Sequence, residues 1–202
     1  MDSPESSELG ERDDAYAALR RQAEGLKVER TIALVGLMGA GKTTVGRRLA
    51  HVLGLPFVDA DAEIEAAAGS TIAEIFRDHG ECEFRRGERQ VIARLLAGPA
   101  HVLATGGGAF VDPRTRALMK ERAITIWLKA PIDVLMKRVT KRDHRPLLKE
   151  DDPRAVMQRL LDERTPIYEQ ADLVVETGAG PHTLAVAAVL DALRAHLPVK
   201  HD

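Results

Sequence analysis

The sequence predicts a single α/β domain built on a mostly parallel β-sheet. Short apolar strands alternate with helical segments over residues 31–197, and this alternation is typical of a parallel sheet with helices on both faces. A glycine-rich phosphate-binding pattern follows the first strand directly. The chain has 202 residues, which is enough for one domain with a substantial core.

The amino-acid composition limits which kinds of partner the protein is expected to bind. The net charge is −2, so no general basic field favours nucleic acid. No apolar run approaches the ~20 residues that a membrane-spanning helix needs. The acidic, polar N-terminus is unlike a signal peptide, and the single cysteine, Cys82, suits a reducing compartment. We therefore expect a cytoplasmic, monomeric enzyme that binds neither nucleic acid nor membrane.

The N-terminal stretch is expected to lie outside the main domain. Residues 1–14 are polar and lack periodicity, so we expect them to be disordered. Residues 15–27 favour a short helix, because apolar side chains recur there at helical spacing: Tyr16, Leu19, Ala23 and Leu26. Residues 1–27 thus form a partly disordered extension. It is either an appended surface helix or a segment that docks a partner, and we expect it to be dispensable for catalysis.

The first strand, residues 31–35, leads into GLMGAGKT at positions 36–43, termed the phosphate loop below. This stretch matches the pattern G-x-x-x-x-G-K-[ST], in which backbone N–H groups and a helix N-terminus face phosphate oxygens. Lys42 would then reach the β- and γ-phosphates, and the Thr43 hydroxyl would bind Mg²⁺. The alternative is a glycine-rich turn in an unrelated βα unit.

The remaining elements follow in order along the chain. Strands are expected at 55–58, 101–104, 123–128 and 173–175. Helices are expected at 62–68, from 72 to a break at Gly80, and at 81–97, 113–121, 132–139, 153–169 and 184–197. Ligands of such sheets bind beyond the carboxyl ends of the strands. That rule selects four places: the phosphate loop, residues 59–61, residues 105–108 and the segment after Val175.

Two aspartates follow the second strand. A kinase with a phosphate loop needs one carboxylate near Mg²⁺ and another that orients or deprotonates the attacking hydroxyl, and Asp59 and Asp61 are suited to these roles. The alternative is structural: one residue caps the next helix and the other is an acid in its first turn.

Several other segments each have two interpretations. Arg85 is either a two-point clamp for a carboxylate or the partner of Glu88 in a surface ion pair. Residues 106–108, three consecutive glycines, indicate either close approach of a ligand or a loop of high conformational freedom. The basic run 140–150 is either a mobile lid or a solvated linker, and Arg164 by itself suggests a salt bridge at a helix end.

The ordered set of motifs resembles the shikimate kinase family. The motifs are GLMGAGKTTVGRRLA, FVDADAEIE, STIAEIFRDHGECEFRRGE, TGGGA, RPLL and ERTPIYEQ, and the resemblance runs from about residue 31 to about residue 197. It implies the three-layer fold of P-loop nucleoside-monophosphate kinases, with a five-stranded parallel sheet of order 2-3-1-4-5. It also implies that residues 28–202 form one kinase domain, with a substrate-binding region at 60–98 and a lid at 140–152.

The resemblance implies a reaction as well as a fold. The γ-phosphoryl group of ATP would pass to the 3-hydroxyl of shikimate, giving shikimate 3-phosphate and ADP, with Mg²⁺ as cofactor, in the chorismate pathway to aromatic amino acids. Gluconate and adenylate kinases share the phosphate loop and lid, so a kinase for another hydroxy acid is one alternative. A regulatory or chaperone-like protein that only binds nucleotide is another.

Individual roles also follow from the resemblance. Asp61 contacts the acceptor hydroxyls as base or orienting group, Thr43 binds Mg²⁺ directly, and Asp59 belongs to the outer shell of the ion. The shikimate carboxylate is held by Arg85 and Arg164. The remaining substrate contacts are the backbone N–H groups of Gly107 and Gly108, while Glu88 supports Arg85.

The same resemblance implies which residues bind ATP and which are catalytic. Arg145 is the lid arginine and joins Lys42 and Asp61 as the catalytic residues, while Arg138 packs on adenine. The full ATP-binding set is then Gly39, Ala40, Gly41, Lys42, Thr43, Thr44, Arg138 and Arg145.

Overall fold

The computed structural model describes residues 4–140 and 152–197, with side chains from residue 14 onward. Its strands are β1 Thr31–Val35, β2 Phe57–Asp59, β3 Val102–Ala104, β4 Ala123–Lys129 and β5 Leu173–Glu176. Its helices are α1 Pro4–Ala23, α2 Lys42–Leu53, α3 Ala60–Ala68, α4 Ile72–Leu96, α5 Pro113–Arg122, α6 Ile132–Thr140, α7 Pro153–Tyr168 and α8 His182–His196.

The five strands form one parallel sheet in the order β2-β3-β1-β4-β5. This confirms the order that the family resemblance implied. β1 lies in the middle, with Ile32 opposite Val102 of β3 on one side and opposite Ile124 of β4 on the other. All five residues of β1 are buried, which is what helices on both faces of a parallel sheet require.

The main core fills the space between the sheet and its helices. The apolar face of α2 packs inward, since Val45 and Leu49 are 1% and 0% exposed. A second, smaller cluster of Ile64, Phe84 and Val91 joins α3 to α4 apart from this core. The helices at 60–96 therefore have a small hydrophobic centre of their own.

The helix boundaries in this region follow the local signals in the sequence. Gly69 is left-handed with φ 65° where α3 ends, and Thr71 and Glu74 form a capping box at the start of α4. Gly80, with φ 76° and ψ 173°, interrupts α4 without ending it. The predicted break is thus a kink, because both flanking segments continue as helix.

The N-terminal helix differs from its prediction. α1 begins at Pro4, so residues 4–14 are helical where disorder was expected. Proline suits the first turn of a helix because it has no N–H to leave unpaired there. The prediction was wrong because a polar helix has no apolar periodicity to reveal it.

α1 packs on α2 and α8 rather than standing apart. Leu19 is 4% exposed within the main core. The Gln22 side chain donates a hydrogen bond to the carbonyl of Ala187 at 3.0 Å, and Arg194 donates to the carbonyl of Glu24 at 2.9 Å. The apolar face of α1 is therefore used within this chain. Among the described helices, none combines the length and apolar character needed to span a membrane.

Because Leu19 is buried against the main core, we expect Leu19→Ala to lower the free energy of unfolding by about 2–4 kcal/mol through lost burial and a residual cavity. Leu184→Ala is the matched control, because Leu184 is 65% exposed on α8. The measurement is urea unfolding followed by circular dichroism. Equal small effects of the two substitutions would mean that α1 contributes little to stability.

Candidate active site

The sheet brings three of the predicted segments together at its carboxyl edge. The phosphate loop follows β1, Asp59 ends β2 with Asp61 just after it in α3, and residues 105–108, termed the glycine loop, follow β3. Because β3 lies between β1 and β2, the glycine loop adjoins both other segments. A methyl group at Gly107 would lie 3.5 Å from the Met38 backbone nitrogen, so the glycine loop touches the phosphate loop.

The backbone of the phosphate loop depends on its glycines. Gly36, Gly39 and Gly41 have φ values of 133°, 82° and 99°, a region that residues with side chains rarely adopt. Space is also restricted, since a methyl group at Gly36 would lie 2.9 Å from the Leu128 carbonyl oxygen. These glycines thus allow the loop to curl tightly against β4.

Lys42 is buried and lies against the phosphate loop. Its Nζ donates hydrogen bonds to the carbonyl oxygens of Gly36 at 2.7 Å and Leu37 at 3.0 Å. At 9% exposure, the ammonium group is held in a defined position by the loop. A fixed cation here suits the recognition of a polyphosphate.

Thr43 and Asp59 bring two oxygen ligands together. The Thr43 hydroxyl donates to Asp59 Oδ2 at 3.0 Å, while Asp59 Oδ1 accepts from the Asp61 N–H at 3.2 Å. Asp59 is therefore a helix cap, as the structural alternative predicted, and it also adjoins the phosphate loop through Thr43. Its role near Mg²⁺ stays a prediction. An all-oxygen pair suits Mg²⁺, which keeps most of its waters and binds few protein groups. The described residues contain no group of three or more His, Cys, Asp or Glu side chains suited to a metal.

Asp61 lies over the glycine loop. A methyl group at Gly106 would lie 2.7 Å from Asp61 Oδ1 and 3.3 Å from Glu88 Oε1. Glycine at this position leaves room for both carboxylates where they lie. Burial is the main cause that raises the pKa of Glu88. Arg85 opposes this rise, and the negative charge of Asp61 adds to it.

Arg85 is held by acids on its own helix and points at Gly108. Its Nη1 donates to Glu88 at 2.7 Å and its Nη2 donates to Glu81 at 3.2 Å. Burial lowers the pKa of Arg85, but these two carboxylates outweigh it and the net shift is upward. A methyl group at Gly108 would lie 2.7 Å from Arg85 Nη1, so the guanidinium group packs directly on the glycine loop. The predicted pair with Glu88 exists, but Glu88 is 1% exposed, so the pair is not a surface one.

Arg164 reaches the same loop from α7. Its Nη1 donates to the Gly107 carbonyl at 3.2 Å. Arg85 and Arg164 therefore come from separate helices to adjacent glycines. This convergence gives two guanidinium groups to one small region beside Asp61, an arrangement suited to a small anion that also carries hydroxyl groups.

Arg138 lies on the nucleotide side. It donates to the Ala40 carbonyl at 3.2 Å and to the Gly178 carbonyl at 2.7 Å, which joins the phosphate loop to the segment after β5. Burial lowers the pKa of Arg138. Arg145 and residues 141–151 of the predicted lid lie outside the described residues, so their roles stay predictions.

Two residues at this edge were not predicted. The Tyr168 hydroxyl donates to the Gly107 carbonyl at 2.5 Å; its position four residues after Arg164, on the same face of α7, was an available signal. The His182 ring lies 3.7 Å from where a methyl group at Gly41 would be. Burial, with Arg138 and Arg48, lowers the pKa of His182. Nothing local in the sequence indicates this placement.

Comparison with known proteins gives a consistent result. A family model described as shikimate kinase matches residues 38–194. A shikimate kinase of Caulobacter vibrioides is 59% identical over 165 residues, 82% of each chain, and one of Paramagnetospirillum magneticum is 54% identical over 174 residues, 86% of this chain and 89% of the relative. The solved shikimate kinase from Acinetobacter baumannii in complex with shikimate has a TM-score of 0.80 at 38% identity, covering 88% of this chain and 98% of that one.

The burial of Glu88 yields a prediction about stability. Glu88→Ala leaves the half-buried Arg85 without its closest counterion, so we expect a loss of about 2 kcal/mol in the free energy of unfolding. Glu83→Ala is the control, because Glu83 pairs with Arg86 at the same i,i+3 spacing but both side chains are exposed. We expect it to cost below about 0.5 kcal/mol. Chemical unfolding at neutral pH measures both, and similar losses would show that burial of Glu88 is unimportant.

Proposed function

The chain belongs to the shikimate kinase family, and we propose here how its residues share the work of that activity. The enzyme transfers the γ-phosphoryl group of ATP to the 3-hydroxyl of shikimate, with Mg²⁺ as cofactor, in aromatic amino-acid biosynthesis. The observation that supports the residue roles most directly is the convergence of Arg85 and Arg164 on the glycine loop. That loop adjoins the phosphate loop, so acceptor and nucleotide would meet there.

The phosphate loop would hold the nucleotide. Backbone N–H groups of Gly39–Thr44 face the phosphates, aided by the positive end of α2. Lys42 exchanges its carbonyl partners for β- and γ-phosphate oxygens and so stabilises charge on the transferring group. Thr43 would hold Mg²⁺ directly and Asp59 through its hydration shell, and the bound ion would neutralise phosphate charge. Arg138 is proposed to pack on adenine.

The acceptor would be held by its carboxylate. Arg85 and Arg164 each offer a planar pair of N–H donors, and the backbone N–H groups of Gly107 and Gly108 add neutral donors. Glu88 keeps Arg85 in place while the site is empty of substrate. Binding at one end of the ring fixes which hydroxyl faces the phosphate loop, so positioning supplies much of the catalysis.

Asp61 would act on the attacking hydroxyl. In this proposal its carboxylate accepts a hydrogen bond from the 3-hydroxyl and takes the proton as the new phosphorus–oxygen bond forms. The old bond to the β-phosphate oxygen breaks and ADP leaves. Arg145, assigned from the RPLL motif alone, would stabilise the transferring group from the lid at 140–152.

We also infer the setting of the enzyme. The charge balance and the single cysteine support a cytoplasmic enzyme, and we propose that it acts as a monomer. Residues 28–202 would form one kinase domain, with α1 packed on it and residues 60–98 binding the substrate. The separate Ile64–Phe84–Val91 cluster supports treating that region as a unit.

The decisive assay measures ADP release by the full chain with ATP and Mg²⁺. Shikimate is the test acceptor and gluconate the matched hydroxy-acid control. Turnover with shikimate alone is expected. Turnover with gluconate instead would favour a kinase for another hydroxy acid, and no acceptor-dependent turnover would favour a protein that only binds nucleotide.

Lys42→Ala should lower kcat by about 10³-fold or more, because a positioned cation on the transferring group is lost. The fold should persist, although the carbonyls of Gly36 and Leu37 lose a donor. Lys120→Ala, which removes an exposed lysine at the end of α5, is the control. Turnover is measured on variants shown to be folded by circular dichroism, and near-normal turnover of Lys42→Ala would exclude the assigned role.

Removing either guanidinium of the proposed clamp should impair use of shikimate. Arg85→Ala and Arg164→Ala leave the carboxylate half-paired, so we expect a loss of about 2–4 kcal/mol, or roughly 30- to 1,000-fold in kcat/KM. Arg85→Lys should also be poor, because an ammonium group lacks the planar pair of donors. ATP affinity should change little.

Arg86→Ala is the control for this series, since Arg86 is the exposed neighbour of Arg85. The measurements are kcat/KM for shikimate and, separately, ATP affinity. If Arg85→Ala and Arg164→Ala behave like Arg86→Ala, the carboxylate clamp is wrong.

A further inference from the structure

The Gly107 carbonyl has two donors on α7. The Tyr168 hydroxyl reaches it at 2.5 Å and Arg164 Nη1 at 3.2 Å. Tyr168 is 1% exposed. Burial raises the pKa of the Tyr168 hydroxyl, and the positive charges of Arg164 and Arg85 offset this only in part, so the group stays protonated and able to donate.

The Tyr168 ring is fixed between two other aromatic rings. Its centroid lies 5.8 Å from Trp127 and 6.5 Å from Phe110, with interplanar angles of 27° and 16°. Trp127 in turn borders the phosphate loop, since a methyl group at Gly36 would lie 3.2 Å from Trp127 Cδ1. This aromatic stack sets where the hydroxyl points, so the hydrogen bond to Gly107 has little freedom to move.

The orientation of the Gly107 carbonyl also sets the orientation of a neighbouring donor. A trans peptide is planar, so the carbonyl of Gly107 and the N–H of Gly108 point in opposite directions. Glycine imposes little preference of its own on this peptide. A hydrogen bond that holds the carbonyl toward α7 therefore aims the Gly108 N–H away from α7.

The two donors are not equivalent when an anion binds. Arg164 has five N–H donors and uses one, on Nη1, for the Gly107 carbonyl; turning the guanidinium group toward a substrate carboxylate would lengthen and weaken that bond. A part-buried carbonyl that loses every partner carries a desolvation penalty. The Tyr168 hydroxyl can keep its hydrogen bond to the Gly107 carbonyl while Arg164 turns to the substrate carboxylate.

We propose that Tyr168 is a positioning residue for shikimate binding. Its hydroxyl holds the Gly107 carbonyl so that Arg164 is released to the substrate carboxylate and the Gly108 N–H keeps its direction. This inference rests on the proposed function, which assigns Arg164 to the carboxylate. Tyr168 itself touches neither substrate in this scheme and acts through Arg164 and Gly107.

Tyr168→Phe tests the proposal because it removes only the hydroxyl. We expect KM for shikimate to rise about tenfold, since one hydrogen bond is lost when Arg164 turns away. KM for ATP and kcat should stay within about twofold of the wild type, because neither the phosphate loop nor Asp61 is altered. The control is Tyr16→Phe, which makes the same change at the only other tyrosine, on α1.

Binding is measured independently of turnover by intrinsic fluorescence. Trp127 is the only tryptophan and lies in the aromatic stack, so its emission should report shikimate binding directly. The dissociation constant for shikimate should rise by the same factor as KM. An unchanged dissociation constant and KM in Tyr168→Phe would overturn the proposal.

A double-mutant cycle separates positioning from a merely structural role. In an Arg164→Ala background, Tyr168→Phe should add less than about twofold in kcat/KM for shikimate, because the group it releases is already absent. A purely structural tyrosine would give the same factor in both backgrounds and would also move KM for ATP. Either of those results would overturn the proposal.

The thermal midpoint of each variant is recorded, and assays are run well below it.

The failure of the proposed function is distinguishable from the failure of this inference. A wild-type chain that does not use shikimate refutes the function. An active wild type with an unaffected Tyr168→Phe refutes only the role of Tyr168.

Discussion

The parallel pairing of β3 with β1 fixes the geometry of the whole carboxyl edge. Neighbouring strands lie about 4.8 Å apart, so the loops that leave them start equally close. A methyl group at Gly107 would lie 3.5 Å from the Met38 backbone nitrogen, an ordinary van der Waals contact, so the two loops are near neighbours at this point. The space in which nucleotide and acceptor would meet is set by the sheet rather than by flexible side chains.

The cations of the site share a way of being held. Arg138 and Arg164 both donate to backbone carbonyls of the phosphate and glycine loops or of the segment after β5, and Lys42 has two such carbonyls among its partners. Carbonyls are neutral acceptors, so they orient a cation without cancelling its charge. Arg85 differs from Arg138 and Arg164, since Glu88 and Glu81 neutralise it. A carbonyl-bound cation can exchange its partner for an anionic ligand at a smaller electrostatic cost than one bound to a carboxylate. The site is therefore prepared for anions before they arrive.

Local signals allowed much of this structure to be predicted from the sequence. The phosphate loop and the strand predicted at 123–128, which is β4, depend on residues that are near each other in the chain. The ambiguity over Arg85 could not be resolved in that way, because it depended on the burial of Glu88 beneath other elements. The bond between Tyr168 and Gly107 joins residues 61 positions apart, and the only local signal for it is the position of Tyr168 four residues after Arg164. The early start of α1 was missed because its first turns are polar and have no apolar periodicity.

The docking of α1 on α8 has a consequence for how the chain is made. Gln22 finds its acceptor at Ala187, which is 165 positions later in the sequence. At a synthesis rate of about 5–20 residues per second, α1 waits roughly 8–33 seconds after leaving the ribosome before α8 follows it. During that time the part of α1 that docks on α8 faces solvent, nascent neighbours and chaperones. The contact between α1 and α8 is thus among the last to form. A prematurely terminated chain would leave this surface of α1 exposed and free to bind other chains.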